Sequence, residues 1–163
     1  MNQLPRPLAA ACAVALLALT TVAAAETPPV ASVERVDLTR YAGRWYEIAA
    51  FPMFFQRQCV GDTTADYALR PDNRCRTDSG FEQATGRAWA VAGGGNAQLK
   101  VSFFWPFRSD YWIIGLDENY RWAVVGNPNR KYLWILSRTP ELPAEQLERA
   151  LQAARAQGYD LAQ

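Results

Sequence analysis

The chain has 163 residues, half of them apolar, with 17 basic and 16 acidic side chains and no histidine. That length and apolar share suit one domain with a core, or with a core around a cavity, and near neutrality leaves no electrostatic footprint for nucleic acid. The missing histidine removes the usual general base at neutral pH, every histidine-containing catalytic triad and the common histidine zinc sites, so neither an enzyme nor a cofactor is expected.

Residues 1–25 read as a secretory signal peptide: Arg6 in a short n-region, an alanine and leucine run from Leu8 to Val22, and Ala23-Ala24-Ala25 as an A-x-A cleavage site. The exported domain then covers residues 26–163, and the periplasm is the expected compartment. Cys12 stands near the start of the apolar run rather than after it, where a lipobox cysteine belongs. Lipidation of Cys12, with outer-membrane association, is the alternative. Cys59 and Cys75 remain in the exported part, in a compartment that permits disulfides.

From Trp45 onward the pattern is of short strands between turns. "RWYEIAA" (44–50) is the first, followed by "FPMFF" (51–55), where Pro52 argues against a strand interior. "GDTTADYALR" (61–70) is the second, with its turn at Pro71-Asp72-Asn73, and "GFEQATGRAWAVA" (80–92) runs into a glycine turn at "AGGGN". In "LKVSFFW" (99–105) Leu99, Val101, Phe103 and Trp105 alternate against Lys100 and Ser102, which marks one apolar face. "YWIIGLD", "YRWAVVG" and "YLWILSR" are apolar on both faces and therefore need a cover outside as well as an interior. After Pro143, Leu147, Ala150, Leu151 and Ala154 recur at helical spacing up to Gly158. One helix laid on the outside of a sheet closed into a barrel fits this order.

"GRWYEIA", "LDENYR" and "YLWILSRTP", in that order and before a terminal helix, resemble the three signature regions of the lipocalins. With "FFQRQC", "NRC" and "LKVSFFWPF", the chain is similar to the bacterial lipocalins of the Blc and apolipoprotein D-like subfamily over about residues 33 to 160. The resemblance implies an all-β fold, an eight-stranded up-and-down antiparallel barrel with a C-terminal α-helix packed outside. It implies binding of small hydrophobic molecules, here a single-chain lipid such as a fatty acid or lysophospholipid. Peripheral association with the outer membrane and a homodimer are further expectations. Relatives carry an additional stretch between Asp72 and Asn73 and a final short strand after the helix. Here a shortened third strand is expected, with a notch in the wall beside it.

Within that resemblance Gly43, Trp45 and Arg138 close the base of the barrel: the glycine lets the chain bend, the tryptophan plugs the narrow end, and the arginine packs over its ring. Period-two alternation from Trp45 and Arg138 puts Glu47, Tyr132, Trp134 and Leu136 on the inner face. Analogy with the family's inward positions adds Tyr111, Ile113, Trp122 and Val124, and Val101, Phe103 and Trp105 form a further wall. Alternation alone leaves open whether these residues fill a solid barrel or line a cavity; the resemblance implies the cavity. It also makes Phe51, Phe54 and Phe55 an apolar lid at the mouth, with ordinary core packing as the other reading. Arg57, Arg108 and Lys100 are candidates for a ligand carboxylate or phosphate at the rim. The resemblance pairs Cys59 with Cys75. A different class remains in view, a periplasmic protein-interaction module such as a small β-barrel protease inhibitor, in which the lid would be a partner contact.

Overall fold

The computed structural model describes residues 27–67, 72–77 and 80–162, without the side chains of 72–76 and 81. The expected signal peptide, Cys12, Pro71 and the side chain of Cys75 lie outside the described residues. In chain order the elements are α1 (Leu38–Tyr41), β1 (Gly43–Ala50), a 3-10 turn at Phe54–Gln56, β2 (Gly61–Tyr67), β3 (Asp72–Thr77), β4 (Gly80–Thr85), β5 (Arg87–Ala90), β6 (Gln98–Ser102), β7 (Ser109–Leu116), β8 (Trp122–Gly126), β9 (Leu133–Ser137) and α2 (Ala144–Ala156).

All strand pairs are antiparallel, in the order β4-β3-β2-β1-β9-β8-β7-β6-β5. The two ends of this order, β4 and β5, are consecutive in the chain with Gly86 alone between them. The edges of the sheet therefore meet at Gly86, and the sheet must curl on itself. Taken as one strand bent there, β4 and β5 make the wall eight-stranded. A glycine is required at the bend because a Cβ would lie 2.9 Å from the ring of Phe103. Among the described residues β4 pairs only with β3, and β6 has ended at Ser102, so the wall is notched on one side of β4.

β3 keeps six residues, and every one of them pairs with β4. Asp72 and Asn73, expected in the turn, belong to this strand: Asp66 faces Asp72 and Ala65 faces Asn73, which moves the connection to residues 68–71. The ladder to β2 is regular at this end, so the strand register overrides the turn-forming preference of Asp-Asn.

The predicted helix forms as α2 after Pro143 and ends before Gly158, whose φ of +76° only glycine adopts readily. Its Ala150 and Ala154 are fully buried against Ile114, Val124 and Ile135. Ala153 comes so close to β7 that a Cβ on Gly115 would sit 2.9 Å from it. After the helix Tyr159 is buried, and its hydroxyl donates to the Asn127 carbonyl and accepts from the Asn127 N–H, both at 2.8 Å.

Two apolar clusters result. One lies between the barrel's outer face and α2; the other fills the barrel from its base.

Candidate functional site

The base is built where the three sequence signatures meet. α1 begins at Asp37, whose carboxylate accepts from the N–H groups of Thr39 and Arg40. Gly43, at φ +94°, then turns the chain into β1, and Trp45 enters the barrel with no exposed surface. The indole N–H of Trp45 donates to the Tyr41 carbonyl at 2.8 Å, and the guanidinium of Arg138 stacks 3.8 Å from its ring centre. Arg138 also donates to the carbonyls of Arg40, Arg44 and Tyr120, tying α1, β1 and the β7–β8 turn together. That turn is ordered by Asp117, whose carboxylate accepts from the backbone of Asn119 and Arg121 and from the Arg121 side chain. The bonds from Arg121 hold Asp117 below the usual carboxylate range.

Antiparallel partners share a face, so register identifies the inner wall. Trp45 faces Ala65, Glu47 faces Leu136, Leu136 faces Ala123, Trp134 faces Val125, and Val125 faces Ile113. Leu99 faces Tyr111, and Val101 faces Ala88. Glu47, Trp134 and Leu136, which alternation placed inward, thus share the face of Trp45, and so do Tyr111 and Ile113, placed there by family analogy, and Val101. On the opposite wall the inner positions are small: Ala84, Ala88 and Ala90 share the inner face, and all three are exposed. These alanines carried no sequence signal, since a small residue is noticed only when its neighbours are known.

Five expected positions fall elsewhere. Trp122 and Val124 belong to the outer cluster under α2, and their strand neighbours Ala123 and Val125 face inward instead. The cause is the β8–β9 register, which pairs Trp122 with Ser137 and Val124 with Ile135 and so puts both on the face opposite Leu136. A bulge between Glu47 and Ala49 sends the end of β1 outward, so Phe51 packs against Tyr159, with ring centres 6.0 Å apart, rather than over the mouth. Trp105 lies beyond the end of β6 and is 86% exposed, because the chain leaves the sheet at Ser102 and turns back through a Phe107-to-Phe104 hydrogen bond. Phe103 leaves the strand at the same place and is also exposed. Of the cations, Lys100 is spent on Asp110 on the outer face, and Arg108 lies over the outward ring of Trp89. Arg57 is exposed.

At the mouth, Phe54 and Phe55 meet edge to face with centres 5.2 Å apart, Phe55 contacts Tyr132 at 5.7 Å, and Tyr132 stacks on Trp134 at 6.0 Å. An unbroken aromatic path runs from the lid into the lumen. Beside it the lid reaches in with a polar group that sequence reading missed: Gln56 donates to Glu47 at 3.1 Å and accepts from the Trp134 indole at 3.4 Å. Glutamine in a loop is unremarkable until its partners are placed.

Burial raises the carboxyl of Glu47 above its usual range, and the Gln56 bond offsets only part of this. A carboxyl whose folded value is raised supports folding fully below its unfolded value and loses that support as pH rises through the folded one. Replacing Glu47 with Gln keeps an acceptor for Gln56 and removes the titration. Urea unfolding at intervals between about pH 4 and pH 7 should therefore show a smaller loss of stability on the alkaline side for Glu47→Gln than for the parent. An identical pH profile would place Glu47 in water.

The family description "Lipocalin-like domain" matches residues 36–163. The chain is 41% identical over 165 residues to the outer membrane lipoprotein Blc of Escherichia coli K12, covering 95% of this chain and 92% of that protein. It is 33% identical to apolipoprotein D of Macaca fascicularis over 137 residues, 75% of this chain and 70% of that one. Among solved structures, insecticyanin from the tobacco hornworm Manduca sexta superposes with a TM-score of 0.63 at 21% identity, covering 78% of this chain and 77% of that one.

Proposed function

The chain belongs to the lipocalin family, whose members bind small hydrophobic molecules, and from that premise we propose that it carries a single-tailed lipid, a fatty acid or a lysophospholipid, in the cell envelope. The observation that carries this reading is the aromatic path from Phe55 through Tyr132 to Trp134, across from small inner positions at Ala84 and Ala88. At about 0.8 kcal/mol per buried methylene, a chain of roughly fourteen carbons gains on the order of 10 kcal/mol before the costs of association. A lysophospholipid fits because one tail enters while its head stays wet. The test is native mass spectrometry of the exported protein, followed by titration with a fluorescent fatty acid after delipidation. A protein that arrives without lipid and takes none up, yet retains a protein partner, would turn the mouth into a protein contact.

The exported form is proposed to reside in the periplasm and to join Cys59 to Cys75. Gly61 faces Arg76, so the segment bearing Cys59 ends beside the strand bearing Cys75. Two reactive thiols per mature chain under denaturing conditions would refute the bond.

The mouth also suits peripheral contact with an anionic membrane. Phe54, Phe104, Trp105 and Phe107 are each at least 70% exposed. The mouth segments 51–60, 103–109 and 127–132 contain Arg57, Arg108 and Lys131, with Arg130 engaged by the Gln157 and Pro28 carbonyls, against one acidic residue, Asp78, in the link between β3 and β4. Aromatic rings at headgroup depth and cations against lipid phosphates act together, each cation contributing about 1 kcal/mol near an anionic surface. The triple variant Phe104→Ser, Trp105→Ser, Phe107→Ser should lose flotation with phosphatidylglycerol vesicles while keeping its fatty-acid affinity. Equal flotation of variant and parent would remove this surface.

A further inference from the structure

Three tyrosines from three separate elements meet at the bottom of the lumen: Tyr41 from α1, Tyr111 from β7 and Tyr67 from the end of β2. The Tyr111 hydroxyl lies 2.9 Å from that of Tyr41 and 2.6 Å from that of Tyr67. Their rings pack as one group on Trp45, with Tyr41 and Trp45 centred 5.0 Å apart and Tyr41 and Tyr67 5.5 Å apart. A barrel floor intended only to exclude water could be wholly apolar. This one carries three hydroxyl protons for two hydrogen bonds.

The surplus holds whichever way the chain of bonds runs. Each phenol brings one proton, two are spent within the group, and among the described residues no other acceptor engages these hydroxyls. The Tyr41 end is sealed against Trp45, whereas Tyr67 is only partly buried and can place its proton toward the lumen. Burial raises all three phenols, Tyr67 to about 12, so each stays protonated and remains a donor. A ligand oxygen reaching the floor of the lumen would accept that proton.

Resting on the lipid-carrier reading above, we infer that the Tyr67–Tyr111 end of this chain is a donor site for an acceptor oxygen on the end of the ligand that enters first. Two ligands supply that chemistry. A fatty acid can enter carboxylate-first, or an acyl chain oxygenated at its far end can enter tail-first. A lysophospholipid with a plain tail can satisfy the site in neither way.

Palmitate, 16-hydroxypalmitate and palmitoyl-lysophosphatidylcholine, each titrated against the parent protein and Tyr67→Phe by tryptophan fluorescence, distinguish these cases. Carboxylate-first entry predicts that Tyr67→Phe weakens palmitate about tenfold and leaves the lysolipid within twofold, the size expected for one hydrogen bond. Tail-first entry predicts that the parent prefers 16-hydroxypalmitate to palmitate about tenfold and that the variant does not. If Tyr67→Phe changes all three affinities by the same factor, or none, the donor site is refuted while lipid carriage stands. If no probe binds the parent, the carrier reading itself fails. Should Tyr67→Phe not fold, as judged by circular dichroism, the preference among the three probes in the parent decides: equal affinity for palmitate and 16-hydroxypalmitate, with the lysolipid no weaker than either, overturns the inference.

Discussion

Trp45→Ala is expected to lower stability by about 3–5 kcal/mol, the range for deleting a fully buried large aromatic. The side chain has no exposed surface, and its removal would strand the Tyr41 carbonyl, uncover the Tyr41 ring and leave the Arg138 guanidinium facing a cavity instead of a π-face. For a domain of this size that corresponds to a fall in Tm of about 10–20 °C. Phe54→Ala is the control: at 70% exposure it should stay within about 0.5 kcal/mol of the parent. The comparison separates base from mouth. Thermal melts showing the larger loss for Phe54→Ala would mean that the barrel is held at the opposite end.

Ala88→Trp should have the largest effect on binding, weakening a single-tailed lipid about 100-fold with little change in Tm. Ala88 faces Val101 across the ladder on the inner wall and is exposed, so an indole at this position projects into the lumen. There it would occupy the volume of about four methylenes, worth roughly 3 kcal/mol of acyl burial. Trp89 is the natural comparison because it faces Lys100 on the outer wall, and Trp89→Ala should leave affinity unchanged. Fatty-acid titration of both variants checks this. Full affinity in Ala88→Trp would show that the acyl chain lies elsewhere.

Strand register and strand ends explain most of the distance between expectation and structure. Counting by twos from Trp45 places Glu47 correctly and fails a few residues later, because the irregularity between Glu47 and Ala49 redirects the end of β1. Phe51 then joins Tyr159 outside the barrel. On β8 the regular ladder to β9 pairs Ala123 with Leu136 and Val125 with Trp134, so these two, and not Trp122 and Val124, face inward. In strands apolar on both faces, hydrophobicity cannot report such a shift, since either parity looks like a core.

What the sequence alone determined is the part written in local chemistry and in motif order. The glycine before Trp45, the alternation in β6 and β9, the proline-started helix and the three ordered signatures were enough for an all-β lipocalin barrel with one external helix. Backbone propensity and periodicity are properties of short segments, and short segments keep them. The tertiary structure decided which face of each strand became the lumen, that Gln56 reaches Glu47, and that three tyrosines distant in the chain share hydroxyl contacts. Those outcomes depend on register and closure, which arise only when strands far apart in sequence compete to bury the same surface.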